Sequence, residues 1–375
     1  MSTNKFFPEI KGNFGFGCMR LPMISGEVDT AEVCRMADEF IESGFNYFDT
    51  AHGYLGTKSE PAVRDCVSRR YTRDKFLLTD KLSSNFFSKT EEIRPFFESQ
   101  LMSCGVDYFD FYLMHAQDHE KYEKYTRLGA YETAYDFKRE GKIRHFGISF
   151  HDTSDLLDKI LTDHPEIEVV QLQFNYMDYD DPAIQSKKNY DVCVKHGKPV
   201  IVMEPVRGGG LVNLPDGARK ILDGLGGGTP ASYALRFAAS FDNVAMVLSG
   251  MGNIDMMREN VETMKNFTPL DERELNAIEK VRAELARQNL IQCTACRYCM
   301  ERCPVGISIP DIFACVNSKA LYKQRNWNAD YYYTVYTSEG KRASDCLKCG
   351  ACEAICPQHL NIRELLAAAA KEFEK

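Results

Sequence analysis

Between residues 14 and 266 the chain carries eight short, nearly continuous apolar runs: FGCMR, YFDTA, FLLTDKL, FDFYLMH, HFGIS, VVQLQFN, PVIVMEP and VAMVLSG. Each is rich in Val, Ile, Phe or Tyr, as expected of strands covered on both faces. Amphipathic helical segments separate them. The clearest starts at Asp29: Val33, Met36, Ala37, Phe40 and Ile41 share one face, Asp29 and Glu32 have capping-box spacing, and Gly44 supplies the stop. Residues 90–104, 183–196 and 254–266 repeat the pattern. Eight strand–helix alternations over roughly 250 residues predict an α/β fold, a closed (β/α)8 TIM barrel. An open doubly wound sheet would carry a glycine-rich first turn, which this sequence lacks. The barrel is expected over residues 1–270, a polar helical junction over 271–289, and a second domain over 290–375.

That second domain holds two cysteine runs. Cys293, Cys296, Cys299 and Cys303 precede Pro304; Cys346, Cys349, Cys352 and Cys356 precede Pro357. The other six of the fourteen cysteines are scattered and read as small buried apolar residues. Clustered cysteines suggest metal rather than disulfides in a reducing compartment. The opening MSTNKFFPEI lacks the apolar core of a signal peptide, and no apolar stretch is long enough for a membrane span, so a cytoplasmic location is expected. A net charge of −8 argues against a nucleic-acid partner.

Both runs follow C-x2-C-x2-C-x3-C-P and resemble bacterial ferredoxins with two [4Fe–4S] clusters. Zinc also binds CxxC pairs, but two four-cysteine runs each closed by proline are more specific for iron–sulfur. By that resemblance the fourth cysteine of each run serves the other cluster. Cluster one would take Cys293, Cys296, Cys299 and Cys356; cluster two would take Cys346, Cys349, Cys352 and Cys303. Helical spacing of Ile312, Phe313, Val316 and Ala320 between the runs suggests a small α-helical ferredoxin-like iron–sulfur domain.

Strand ends carry the chemistry of such barrels. Here they present Asp49 in YFDTAHGY, Tyr54 just beyond, Lys81 in LLTDKL and His115 in FYLMH. With FDTAHGYLGTKSE, LLTDKL, FDFYLMHAQD and GISFHD, the barrel resembles the aldo/keto reductase family, and the whole chain resembles its iron–sulfur-containing subgroup. The resemblance implies a catalytic tetrad of Asp49, Tyr54, Lys81 and His115. It implies hydride transfer between NADP(H) or NAD(H) and a small carbonyl or alcohol substrate, with Tyr54 as general acid/base. Lys81 would lower the Tyr54 pKa, Asp49 would hold Lys81, and His115 would polarise the carbonyl.

The resemblance also places cofactor contacts on Met19 and Arg20 after strand one, Ser149 and Gln171 in strands five and six, and Met203 after strand seven. At the phosphate end it places Ser249, Gly250, Gly252, Arg258, Glu259 and Asn260, with a helix N-terminus near Ile254. Met203 stands where the family commonly has a stacking aromatic, and Met256 where it often has a base for the 2′-phosphate. The RGGG run at 207–210 reads either as a phosphate cradle or as an ordinary loop. Hydride transfer moves two electrons together and a cluster moves one. The clusters are therefore structural or wired to a redox partner protein. The alternative is an electron-transfer protein whose barrel-bound flavin or nicotinamide feeds the clusters.

Overall fold

In the computed structural model of the chain, residues 4–181, 184–287, 290–321, 327–337 and 341–374 are described. Positions 288–289 of the expected junction and the end of the helical stretch after Cys303 lie outside the described residues.

All eight expected strands form, the first of them displaced: FGCMR contributes only Phe16 and Gly17, and Cys18–Arg20 coil into a 3-10 turn. The strands are β1 (Phe14–Gly17), β2 (Tyr47–Asp49), β3 (Leu77–Leu82), β4 (Phe109–Gln117), β5 (Ile143–Phe150), β6 (Val169–Gln173), β7 (Val200–Met203) and β8 (Val244–Ser249). They pair in parallel in sequence order, and β8 returns to β1 to close the barrel, with Phe16 opposite Ser249. Inside, Tyr47, Leu77, Phe111, Leu113, Val169, Ile201 and Met246 pack as one core. Phe7 and Ile10 plug its lower end, the Phe7 ring lying edge-on to Phe111 at 5.0 Å. Gly15 is needed in this interior, because a Cβ there would lie 2.6 Å from the side chains of Leu248 and Met246.

Helix α1 (Thr30–Glu42) shows how the sequence signals were used. Asp29 accepts from the Glu32 N–H at 3.1 Å, while Gly44 adopts φ 96° just past the helix end. The Glu32 carboxylate does not return to the cap; it accepts from the Ile254 N–H at 2.8 Å. A short hairpin, Met23–Ile24 with Glu27–Val28, follows β1 and was not foreseen, two residues per strand being too short to show a period.

The chain divides into two compact units. One comprises Met1–Pro205 with Ala231–Leu270; the other comprises Val206–Pro230 with Asp271–Lys375. The connection that leaves β7 thus belongs to the second unit, together with the helices Asp216–Asp223 and Glu272–Arg287. That unit repeats one motif. Each cysteine loop leads into a single helical turn, Tyr298–Glu301 or Ala351–Ala354. A Cys-Pro turn then opens a long helix, Ile309–Leu321 or Ile362–Phe373. Ile307, Ile309, Ile312, Phe313, Ile362 and Leu366 form the shared apolar core. No helix among the described residues is long and apolar enough to cross a membrane.

Candidate active site and cluster sites

Alternation along β3 sends Lys81 into the barrel and Asp80 outward. The Lys81 Nζ is fully buried. It donates to Asp49 Oδ1 at 2.6 Å, to the Thr50 carbonyl at 2.8 Å and to Tyr54 Oη at 3.2 Å. Because Tyr54 oxygen accepts from Lys81, its own proton points elsewhere. The His115 ring lies 6.0 Å from the Tyr54 ring, and its Nδ1 shares a 2.6 Å hydrogen bond with Ser83 Oγ. The structure therefore brings Asp49, Tyr54, Lys81 and His115 together. Ser83, which sequence reading missed, sits two residues after Lys81 on the same face, so the period of the strand could have found it.

The electrostatics differ from expectation. Tyr54 is held well above its ordinary pKa, first by burial and then by the charges of Asp49 and Asp80. The anticipated lowering by Lys81 does not appear. A unit charge 3.2 Å away is worth on the order of 5 kcal/mol at an effective dielectric of 20, but Asp49 lies closer to that same ammonium and largely cancels it. Burial pushes His115 well below its ordinary value, aided by Lys81, so the imidazole is neutral. Behind Lys81, buried Asp80 is pushed well up by burial and by neighbouring Glu60. Gln100 ties this pocket to the site, donating to Glu60 at 3.3 Å and to the Lys81 carbonyl at 3.0 Å.

The residues expected to hold a nicotinamide nucleotide fall into two groups. Met19 and Arg20 lie in the turn after β1, and Arg20 pairs with Glu204 at 3.2 Å. Ser149 accepts from the Ala116 N–H at 2.7 Å, Gln171 donates to Asp49 Oδ2 at 3.0 Å, and half-buried Met203 ends β7. At the other end, Ser249 accepts from Asn260 at 3.0 Å, Gly252 is exposed, and Gly250 lies under the Arg20 side chain. Exposed Glu259 and Arg258 are on helix α2 (Ile254–Lys265), with Arg258 bound to Glu39 at 3.0 Å. At the start of α2, Asn253 takes the Met256 N–H and Glu32 that of Ile254, leaving the glycine loop before it as the surface offered to an anion. The donor set at the strand ends and this loop fit a nicotinamide nucleotide.

The eight cysteines fit two clusters. Cys303, Cys346, Cys349 and Cys352 line one void with Val305, Ile307, Ile309 and Leu366. Cys299 is pushed up by burial and by neighbouring Cys296, Cys293 and Cys356. Each loop turns a backbone N–H onto its first sulfur: Ala295 onto Cys293 and Lys348 onto Cys346, both at 3.4 Å. Left-handed residues recur at matching positions, Ala295 and Arg297 in one loop, Lys348 and Gly350 in the other.

Several known proteins are similar to this chain. A solved aldo-keto reductase, AKR11C1 from Bacillus halodurans in its holo form, shares 26% identity, with a TM-score of 0.58 over 72% of this chain and 92% of its own. An aldo-keto reductase from Klebsiella pneumoniae, solved with NADPH, shares the fold at 21% identity and a TM-score of 0.56 over 73% of this chain and 95% of its own. In sequence, the uncharacterized oxidoreductase YqkF of Bacillus subtilis is 24% identical over 71% of this chain and 90% of its own length. The NADH-specific methylglyoxal reductase of Escherichia coli is 24% identical over 65% of this chain and 86% of its own length. A flavin finds no support among them. Residues 292–360 match the 4Fe-4S dicluster domain, and residues 13–283 match the aldo/keto reductase family model. With more than half its length in that match and a closed eight-stranded barrel beneath it, the chain belongs to the aldo/keto reductase family.

Proposed function

We propose that the barrel reduces a small carbonyl compound at the expense of NADPH or NADH, with Tyr54 as the general acid. The bound nucleotide would supply a hydride to the carbonyl carbon. The single observation that carries this reading is the buried Asp49–Lys81–Tyr54 chain beside a neutral His115. Reduction leaves negative charge on the carbonyl oxygen, which needs a proton. Tyr54 keeps its proton at neutral pH and, with its oxygen accepting from Lys81, directs that proton away from the ammonium. As the proton leaves, Lys81 would keep its 3.2 Å hydrogen bond to the phenolate oxygen, with its net charge offset by Asp49. Neutral His115 orients the carbonyl by hydrogen bonding.

Met19, Arg20, Ser149, Gln171, Met203 and the Ser249–Gly252 loop would hold the nucleotide, with Glu259 and Asn260 toward the adenine. Gln171 also braces Asp49. Because Glu39 offsets the Arg258 charge, the 2′-phosphate of NADPH would gain little over NADH at this position. In the second unit, Cys293, Cys296, Cys299 and Cys356 would hold one [4Fe–4S] cluster and Cys303, Cys346, Cys349 and Cys352 the other. Exposed Cys349 supports a role for the latter in exchange with a redox partner protein.

Replacing Tyr54 with Phe tests the reading. Carbonyl reduction should fall by about 10²–10⁴-fold while NADPH affinity stays within about twofold. Turnover near the wild-type rate would remove Tyr54 from the proton transfer.

A further inference from the structure

The two cysteine loops share a backbone but not a setting. The residue after the first cysteine is Thr294 in one loop, 2% exposed, and Leu347 in the other, 68% exposed. Thr294 is covered within its own unit by the RGGG run that follows β7. A Cβ on Gly208 would lie 2.1 Å from the Thr294 carbonyl oxygen and 2.8 Å from its carbonyl carbon. Those are backbone atoms, which cannot swing aside, so only glycine fits. The neighbouring Arg207 guanidinium donates to the Gln292 side chain, immediately before Cys293.

The backbone here is also unusual. Glu204 and Arg207 adopt φ of 56° and 51°, while Gly208 and Gly209 adopt 62° and 93°. Non-glycine residues keep such angles only where surrounding contacts impose them. Arg207 is held by Gln292, and Glu204 by Arg20. Arg20 in turn lies over Gly250, where a Cβ would come within 3.2 Å of three of its side-chain carbons.

We infer that the Arg207–Gly210 strap is part of the site of the first iron–sulfur cluster, packing on the Thr294 backbone and bonding Gln292 so that the loop holds Cys293 and its neighbours in place. The RGGG run is then neither a phosphate cradle nor an ordinary loop: Gly208 and Arg207 are positioning residues for the cluster loop. Among the described residues nothing comparable covers Leu347, so the strap serves the first cluster alone.

The test uses the full chain, purified anaerobically, in three variants. Gly208→Ala and Arg207→Ala break the strap in different ways. Gly210→Ala is the control, since Gly210 has φ −61° and its added Cβ meets only the Arg207 carbonyl at 3.1 Å. Iron and acid-labile sulfide content, with electron paramagnetic resonance after reduction, reads the clusters without reference to activity. Calorimetric titration with NADPH reads the barrel.

Gly208→Ala should drop iron from about eight to about four atoms per chain, with loss of one of two paramagnetic signals, while NADPH affinity in the same sample stays within about twofold of wild type. Arg207→Ala should lower iron to a smaller extent, and Gly210→Ala should leave both readings within about twofold of wild type. Full iron in both strap variants would overturn the assignment. Loss of iron together with loss of NADPH affinity would mean general unfolding and would overturn the local role. A wild-type protein that takes up no NADPH would remove the nicotinamide reading instead, and the iron counts would still decide the role of the strap.

Discussion

The barrel site and the cysteine module are governed by the same desolvation physics, with opposite consequences. In the barrel, burial keeps Tyr54 protonated and His115 neutral, which suits the proposed roles of proton donor and neutral hydrogen-bonding group. In the module, burial pushes up the thiols of Cys299, Cys352 and Cys356, with Cys352 raised to about 11. There the same effect opposes ionisation of groups that bind metal as thiolates, so metal charge must supply the difference. The barrel is a site finished by its own packing. The module is completed by what it binds.

That contrast is most directly broken by removing the metal. Anaerobic treatment with an iron chelator should abolish the ordered packing of helices Ile309–Leu321 and Ile362–Phe373, whose shared core includes Cys299 and Cys352. The barrel, closed by its own strand ladder and apolar interior, should persist. Circular dichroism and limited proteolysis would show loss of protection beyond residue 290 with a stable fragment containing β1–β8. Equal loss of both units would sink the contrast.

A smaller effect sharpens the barrel side. His115 has a folded pKa well below its ordinary 6.5, so the folded protein binds fewer protons than the unfolded chain as pH falls below that value. Its contribution to stability is present above about pH 6.5 and is lost as pH drops through the folded value, at up to about 1.4 kcal/mol per pH unit. Thermal melts should show wild type losing about 2–4 °C more than His115→Gln between pH 7 and pH 5.5. Parallel declines would mean that His115 is not held neutral by the fold.

Legibility followed the range of the interactions. The barrel strands could be read because burial on both faces leaves a local apolar signature. The two cysteine runs could be read because most ligands lie three residues apart. Asp49, Tyr54, Lys81 and His115 were legible as strand-end residues, but their electrostatic balance was not. It depends on how deeply Tyr54 is buried and on how completely Asp49 offsets Lys81. Gln171 braces Asp49 across 122 positions and Arg207 reaches Gln292 across 85, distances over which no local pattern survives. The Glu32 capping box misled for the same reason, because the carboxylate found a partner in another helix.

Hydride transfer in the barrel, whatever the clusters carry, has an isotopic signature. Nucleotide deuterated on the transferred face of the nicotinamide C4 is supplied with a small aldehyde, in ordinary water under anaerobic conditions. Deuterium is expected on the alcohol carbon of the product, and iron–sulfur absorbance should stay unbleached when the aldehyde is left out. Product carrying only solvent hydrogen on that carbon, formed while the clusters bleach, would contradict hydride transfer.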